Sequence, residues 1–513
     1  MKRIWKILFV LLVITVFIVF AGGQKEAEAN TKKVTIGNSA TIWTLDGSID
    51  SGGQSRNIYF HIYDNLYVRD RGDKWQSALA LSHEIIDDLT WELSLRKGVK
   101  FHTGEEFTAK DVKFTIEHVL DPKSLSKWKA FIDLVDRVEV VDPYTVRIIT
   151  KEPFPGLINN VALIPILSET AFKKMGADDF GRNPVGTGPY VFEKWVEGEY
   201  VTLRENKEHW RGAPPFEVVE FREIIDDFAR VAALEAGDVD IIVNVPPDLI
   251  SRINQKPNLV AQTVPSIRGM YVLIDTRCGP FKDVRVRQAI NHFVDVNEFI
   301  EFVLGGTGAK PINNMVPPMY FGHNKDLPIE PYPYDPEKAE GLLKKAGYTE
   351  PFEIELYGPI GRYLKDRELA QVIEGQLEKH GFKVHYEGME WGTYFTYMRT
   401  RQDVTDDKAV LFILGYGAPH YETITPWNEF LRTGSKVNLW QDEEFTKVLD
   451  AALTEMDEDT RISLINKGHQ LIVERAPIIF LYQIGDAYAW NERINWTPRG
   501  DEMVWMLEAS LKE

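Results

Sequence analysis

Trp91-Glu92-Leu93-Ser94-Leu95-Arg96-Lys97-Gly98-Val99-Lys100-Phe101-His102-Thr103-Gly104-Glu105-Glu106-Phe107-Thr108-Ala109-Lys110-Asp111-Val112 holds a strand, a turn and a helix start in one short stretch. Trp91, Leu93 and Leu95 alternate with polar neighbours, the period-two pattern of a half-buried strand. Thr108-Ala109-Lys110-Asp111 has the spacing of a capping box with Asp in place of Glu. Val112, Ile116, Val119 and Leu120 then form one apolar helical face. Strand and helix signals alternate in this way along the whole chain, which predicts an α/β fold with mixed sheets.

Outward from this stretch the punctuation is regular. Residues 33–37 read as a first strand, and residues 138–140 and 145–148 as a hairpin around Asp142-Pro143. Residues 228–236 are helical until Gly237, and residues 239–243 resume as a strand. Asp335 caps a helix with Pro336 at its first position; Ala339, Leu342, Leu343 and Ala346 face inward and Gly347 ends it. Leu369, Val372, Ile373 and Leu377 repeat the pattern, with Gly381 as terminator and Phe382, Val384 and Tyr386 as the next strand. No linker rich in Pro, Gly or Ser interrupts these elements, so any lobes are joined by structured crossings.

The chain has 513 residues, 44% of them hydrophobic and 27% charged, which is ample for two large lobes. Residues 1–29 read as an export signal. Lys2, Arg3 and Lys6 precede an apolar run over 7–21 broken only by Thr15; Gly22-Gly23 and Ala27-Glu28-Ala29 follow. The run is shorter than the roughly 20 residues that cross a bilayer comfortably. Gln24 stands where a lipoprotein signal needs cysteine. Cleavage after Ala29 and secretion without a lipid anchor are expected; the alternative is an uncleaved N-terminal anchor. The net charge is −18, and the signal itself is net positive, so the exported part is more acidic still. Such a chain repels phosphate backbones and anionic headgroups, which argues against nucleic-acid and membrane-surface partners. Cys278 is the only cysteine, so there is no intramolecular disulfide, which suits a bacterial periplasm.

Catalytic equipment is absent from the sequence. There is no Gly-x-Ser-x-Gly elbow, no His-Glu-x-x-His and no Walker motif. The glycine-rich residues 305–310 run into Pro311 and read as a turn. The doublets Asp87-Asp88, Asp226-Asp227 and Asp406-Asp407 read as solvated loop or helix ends rather than a hydrolase pair. His420 and Glu422 bracket Tyr421 but supply only two metal ligands. No enzyme, metal or cofactor is expected; an exported hydrolase using an acidic doublet is the competing class.

The opening stretch strongly resembles a signature of the family 5 extracellular solute-binding proteins, the dipeptide, oligopeptide and nickel receptors of ABC importers. Four further blocks are similar to that family, in order. They are Asn183-Pro184-Val185-Gly186-Thr187-Gly188-Pro189-Tyr190 with Asn206 and Trp210, then Arg230 to Leu234 followed by Gly237-Asp238-Val239-Asp240, then Phe281-Lys282-Asp283-Val284-Arg285-Val286-Arg287-Gln288-Ala289-Ile290, and finally Tyr334 to Tyr348. These blocks have structural readings of their own. Gly186, Gly188 and Pro189 read as a tight turn where glycine permits positive φ, and Arg285 and Arg287 as the exposed face of a helix. The resemblance implies a large two-lobed periplasmic binding protein with a deep cleft between the lobes. The first lobe would be residues 31–270 plus 486–513, with an inserted subdomain at about 71–182; the second would be residues 271–485. It also implies a monomeric receptor that presents a small ligand to a membrane permease with its ATPase.

In such receptors the cleft is lined by the loop after the first strand, by second-lobe loops and by an aromatic-glycine segment. The resemblance places these at Trp43 and Thr44, Arg362 and Tyr363, Trp391, and Tyr416, Gly417 and Ala418. Aromatic rings there would present flat apolar area, while Trp43 and Trp391 serve equally well as core residues. Arg362 could hold a peptide carboxylate bidentately, or begin a solvated helix face with Lys365 and Arg367. Peptide receptors of the family follow the aromatic-glycine segment with an aspartate for the ammonium end. Here Ala418-Pro419-His420-Tyr421-Glu422 has none, and Glu422 is the acid that could serve. Peptides are the expected ligand and oligosaccharides the alternative, with nickel chelates and opines as further classes.

Overall fold

Two long strands, Leu259–Ile274 and Ile478–Asn491, run antiparallel through the middle of a sheet of 11 strands among the described residues. The computed structural model describes residues 32–70, 74–306, 308–401, 407–437 and 439–512. The expected export signal at 1–29 and Asp406 lie outside the described residues. On one side of the long pair, Lys33–Asn38 joins Ile241–Ile242 and Val218–Glu223 in parallel, and the antiparallel strands Tyr200–Glu205 and Tyr190–Val196 complete the edge. On the other side, Ala409–Tyr416, Glu353–Pro359 and Lys383–Met389 extend the sheet. The long pair changes register between Pro265 and Gly269: residues 259–265 pair with 485–491, and residues 269–273 with 478–483.

The apolar interior divides at the same place. One large core is built from residues between Val34 and Val243 together with Tyr488 to Ala509. Two others use residues from Met270 to Ile484 and lie on opposite faces of the second half of the sheet, as the alternation of Met270, Val272 and Ile274 with Tyr271 and Leu273 requires. The mixed α/β fold expected from the sequence is borne out. An antiparallel sheet in the order Ala80–Asp87, Thr90–Leu95, Thr145–Thr150, Val135–Asp142 stands apart from the main one and contains the expected hairpin.

Most local expectations hold, with causes visible in the structure. Thr108 and Asp111 form a reciprocal capping box at the start of Ala109–Leu120, and Val112, Ile116 and Val119 are buried. Asp335 accepts from the Lys338 amide, and Gly347, at φ 95°, ends Pro336–Ala346. The strand expected over 239–243 is only Ile241–Ile242.

Two readings need correction. Neither Gly186 nor Gly188 has a positive φ. They are glycines because the chain passes against the end of helix Gly53–Ile62: a Cβ would lie 2.1 Å from the Ile62 carbonyl oxygen at Gly186, and 2.5 Å from its carbon at Gly188. Close approach, not turn geometry, is the requirement. Arg287 is not on an exposed face either. It is buried and donates to the carbonyls of Arg475, Phe281 and Lys282, tying its helix to the end of Glu458–Arg475. Arg285 is solvent-facing, paired with Asp283 at 2.5 Å.

Candidate ligand-binding site

The second-lobe side of the junction is built where Ala409–Tyr416 runs out of the sheet. Gly415 pairs with Met270, and a Cβ there would meet the Met270 sulfur at 2.5 Å and the Tyr363 ring at 3.0 Å. Glycine lets Tyr363 close onto the strand, and its hydroxyl donates to the Gly415 carbonyl at 3.0 Å. Gly417 lies against Arg268 for the same reason, a Cβ there meeting it at 3.0 Å. The loop carrying Arg362 is fixed by Asp366 at the start of helix Asp366–Lys379. Its buried carboxylate accepts from the amides of Gly361, Arg362 and Tyr363 at 3.1, 2.8 and 3.0 Å. Three amides on one carboxylate hold the loop as a rigid cap.

These residues form a continuous shelf. Tyr363 and Trp391 meet edge-on with centroids 6.0 Å apart, and the exposed Arg362 guanidinium lies 5.1 Å from the Trp391 ring and 5.5 Å from that of Tyr363. The Arg268 guanidinium also lies 6.0 Å from the Tyr363 ring. Burial keeps the Tyr363 and Tyr416 phenols above the ordinary tyrosine range, so both stay neutral hydrogen-bonding groups. Tyr320 steadies the segment: its hydroxyl lies 3.0 Å from the Ile267 and Ala418 carbonyls and accepts from the Ala418 amide at 2.7 Å.

Of the residues singled out from the sequence, Arg362, Tyr363, Trp391, Tyr416, Gly417 and Ala418 therefore fall on or beside one surface. Trp43 and Thr44 belong to the loop after the first strand, Lys33–Asn38. Trp43 is 53% exposed with the Lys127 ammonium 5.6 Å from its ring, so it is not a core residue; Trp391 is half-buried. The Thr44 hydroxyl accepts from the Asp46 amide at 3.1 Å. Among the described residues, no ring contact or hydrogen bond joins Trp43 or Thr44 to the shelf. Glu422 is already partnered: it is buried, ion-paired with Arg461 at 2.7 Å and bonded by the Asn159 amide. His420 packs on Phe131 with its Nε2 3.0 Å from the Thr425 hydroxyl, and burial together with Arg69 pushes it down to about 3. No group of three or more metal-ligating side chains occurs among the described residues. Asp226 caps helix Asp227–Ala236 through the Ala229 amide, and Asp227 pairs with Arg230.

The sequence reading passed over the other half of the junction. Beside the 418–422 loop lies a pocket, partly open to solvent, whose lining includes Arg56, Tyr67, Arg69, Trp75, Tyr421 and Trp505. Tyr421 takes the left-handed conformation at φ 56°, uncommon for a bulky residue, and its ring lies 3.5 Å from the Arg69 guanidinium and 5.3 Å from the Tyr320 ring. Nothing in the spacing around Arg56 or Arg69 marks them, since chain segments distant in sequence build this wall.

Comparison with known proteins fits this architecture. Residues 74–438 match the family described as bacterial extracellular solute-binding proteins, family 5 Middle. The glutathione-binding protein GsiB of Salmonella paratyphi A is 28% identical over 458 residues, 87% of this chain and 88% of that protein. The structure of HbpA2 from Haemophilus parasuis superposes with a TM-score of 0.83 at 24% identity, covering 94% of this chain and 100% of that one. The periplasmic binding protein DppA of Helicobacter pylori, in complex with the peptide STSA, gives a TM-score of 0.73 at 23% identity over 95% of this chain and 100% of that one. With more than two thirds of its length matched by one model and the two-lobed fold shared throughout, the chain belongs to the family 5 bacterial extracellular solute-binding proteins.

Proposed function

We propose that this protein is the periplasmic solute-binding component of an ABC importer, and that it captures peptides between its lobes and presents them to a membrane permease. The observation that carries this reading is the shelf of Arg362, Tyr363 and Trp391 beside Gly415 and Ala418, where a guanidinium is aimed at solvent from a loop locked by Asp366. A fixed, exposed guanidinium backed by aromatic faces suits a peptide carboxylate. Relatives named for glutathione and for a bound peptide support the same class. No described helix is long and apolar enough to cross a membrane, and we assign delivery to the periplasm to the signal at 1–29.

Closure is assigned to the two chain crossings at Pro265–Gly269 and Gln483–Asp486, where the long strands change register, between a first lobe of 31–270 plus 486–513 and a second of 271–485. A ligand touching both lobes favours the closed form by its differential affinity. Titration of the purified exported protein with tripeptides, trisaccharides and Ni(II), read by calorimetry and small-angle scattering, tests the assignment. Peptides are expected to bind one per monomer and shrink the radius of gyration. Binding of saccharides alone, or product formation from any added substrate, overturns it.

A further inference from the structure

Arg56 is buried to 3% exposure in the first turn of helix Gly53–Ile62, on the wall of the pocket beside the 418–422 loop. Among the described residues no carboxylate lies within ion-pair distance of it, and its buried Nε has no hydrogen-bond partner. The neighbouring Glu502 pairs instead with Arg268 at 3.4 Å. The other acids of the wall are also committed. Asp64 accepts from Thr187 at 3.0 Å and Trp210 at 2.9 Å, and Asp501 is bonded by Arg499 through Nε and Nη2. The Trp505 indole N–H, on the same wall, is likewise buried without an acceptor. Buried charge and buried donors normally find partners within the fold. Here the buried donors of Arg56 and Trp505 share one wall whose own acids, Asp64 and Asp501, are bonded elsewhere.

We propose that Arg56 and Trp505 receive a carboxylate of the bound solute, so that the protein selects peptides bearing an acidic group besides the terminal carboxylate. The inference rests on the peptide reading above and narrows it. A chain of side-chain contacts links the two sites. Arg268 lies 6.0 Å from the Tyr363 ring of the shelf and pairs with Glu502. A Cβ at Gly53 would meet both Glu502 and the Arg56 guanidinium. Phe60, Tyr67, Trp75 and Met503 line the same pocket, and an apolar lining makes a charged pair stronger than on an open surface. Tyr421, contributed by the 418–422 loop, lines the same pocket.

The test is calorimetric titration of the intact protein with Ala-Ala-Ala, Ala-Glu-Ala and glutathione, alongside thermal shifts with succinate and with inorganic phosphate. The acidic peptides are expected to bind at least tenfold more tightly than Ala-Ala-Ala, the scale of one charge-assisted hydrogen bond. Arg56→Gln is expected to abolish that difference, leave Ala-Ala-Ala within about threefold and remove stabilisation by succinate. An acid preference that survives in Arg56→Gln, or its absence in the parent protein, overturns the inference while leaving peptide binding standing. If no peptide binds, the peptide reading fails. A succinate shift lost in Arg56→Gln would then still uphold the carboxylate site, and no shift would overturn it. Stabilisation by phosphate but not succinate overturns the carboxylate assignment. Should Arg56→Gln not fold, Trp505→Phe, which deletes one donor, is expected to reduce the acid preference about threefold; an unchanged preference overturns the proposal.

Discussion

Arg461 and Arg56 are buried almost equally, at 5% and 3% exposure, yet their surroundings are opposite. Arg461 donates to Glu422 at 2.7 Å and to the Ala452 carbonyl at 3.1 Å, with its guanidinium 5.0 Å from the Phe321 ring. Arg56 has no such set among the described residues. The first belongs to a closed structural unit, in which attraction and hydrogen bonds offset desolvation. The second has a buried Nε that the fold leaves without a partner, as expected where a ligand completes the site. Arg362 is a third case, exposed and held by its backbone rather than by a charge partner. Burial alone therefore does not separate a structural arginine from a binding one; the state of its partners does.

Glu422→Gln breaks the contrast most directly, because it turns Arg461 into a second buried guanidinium without a carboxylate. Removing one partner of a buried pair costs about 3–5 kcal/mol, so the urea midpoint should fall sharply. A loss below about 1 kcal/mol would show that this pair does not seat the 418–422 loop. Arg362→Ala sharpens the contrast from the exposed side. Unfolding should move by no more than about 0.5 kcal/mol, as for surface positions. Peptide affinity should drop by roughly tenfold to a hundredfold, for the ~1.5–3 kcal/mol of a charge-assisted bond. A variant that binds peptides as before, while Trp391→Ala abolishes binding of sugars, would favour the saccharide class.

The contrast also explains what was legible in the sequence. Helix ends carry their own chemistry, so Thr108 with Asp111, and Asp335 with Gly347, could be read locally and were found. The shelf residues came through resemblance, because a motif fixes its own loop. Arg287, Gly186 and Gly188 were misread because their partners, Arg475 and Ile62, lie far along the chain. Arg56, Arg69 and Trp505 carried no signal at all. Their wall combines helix Gly53–Ile62, strand Tyr67–Arg69, Trp75 and the segment before Met506–Glu508, and only the folded chain brings these together. Glu422 looked available because no spacing rule reveals that Arg461, on a helix that starts 36 residues later, reaches back to it.

Asp486 is the acidic counterpart of Arg56 and carries the smallest expected effect. It lies at the second crossing, opposite Val264, and its Oδ2 is buried without a hydrogen-bond partner. Burial, with the Glu502 and Asp501 carboxylates adding to it, holds its pKa well above the ordinary aspartate range, and the Ser266 hydroxyl and Arg268 offset this only in part. A raised carboxyl in the folded state binds a proton that the unfolded chain releases. Its contribution is fully present below the unfolded value near 3.8 and is lost as pH rises through the folded one. Asp486→Asn keeps the shape and removes the titration. At pH 7 the variant should be more stable than the parent, and the advantage should shrink on acidification toward pH 4. The overall negative charge also weakens the fold as pH rises, so the variant-minus-parent difference in melting temperature is the quantity to follow. A difference that stays flat from pH 4 to pH 8 would mean that Asp486 titrates normally, and that an unpaired buried group at this junction need not signal a site waiting for its partner.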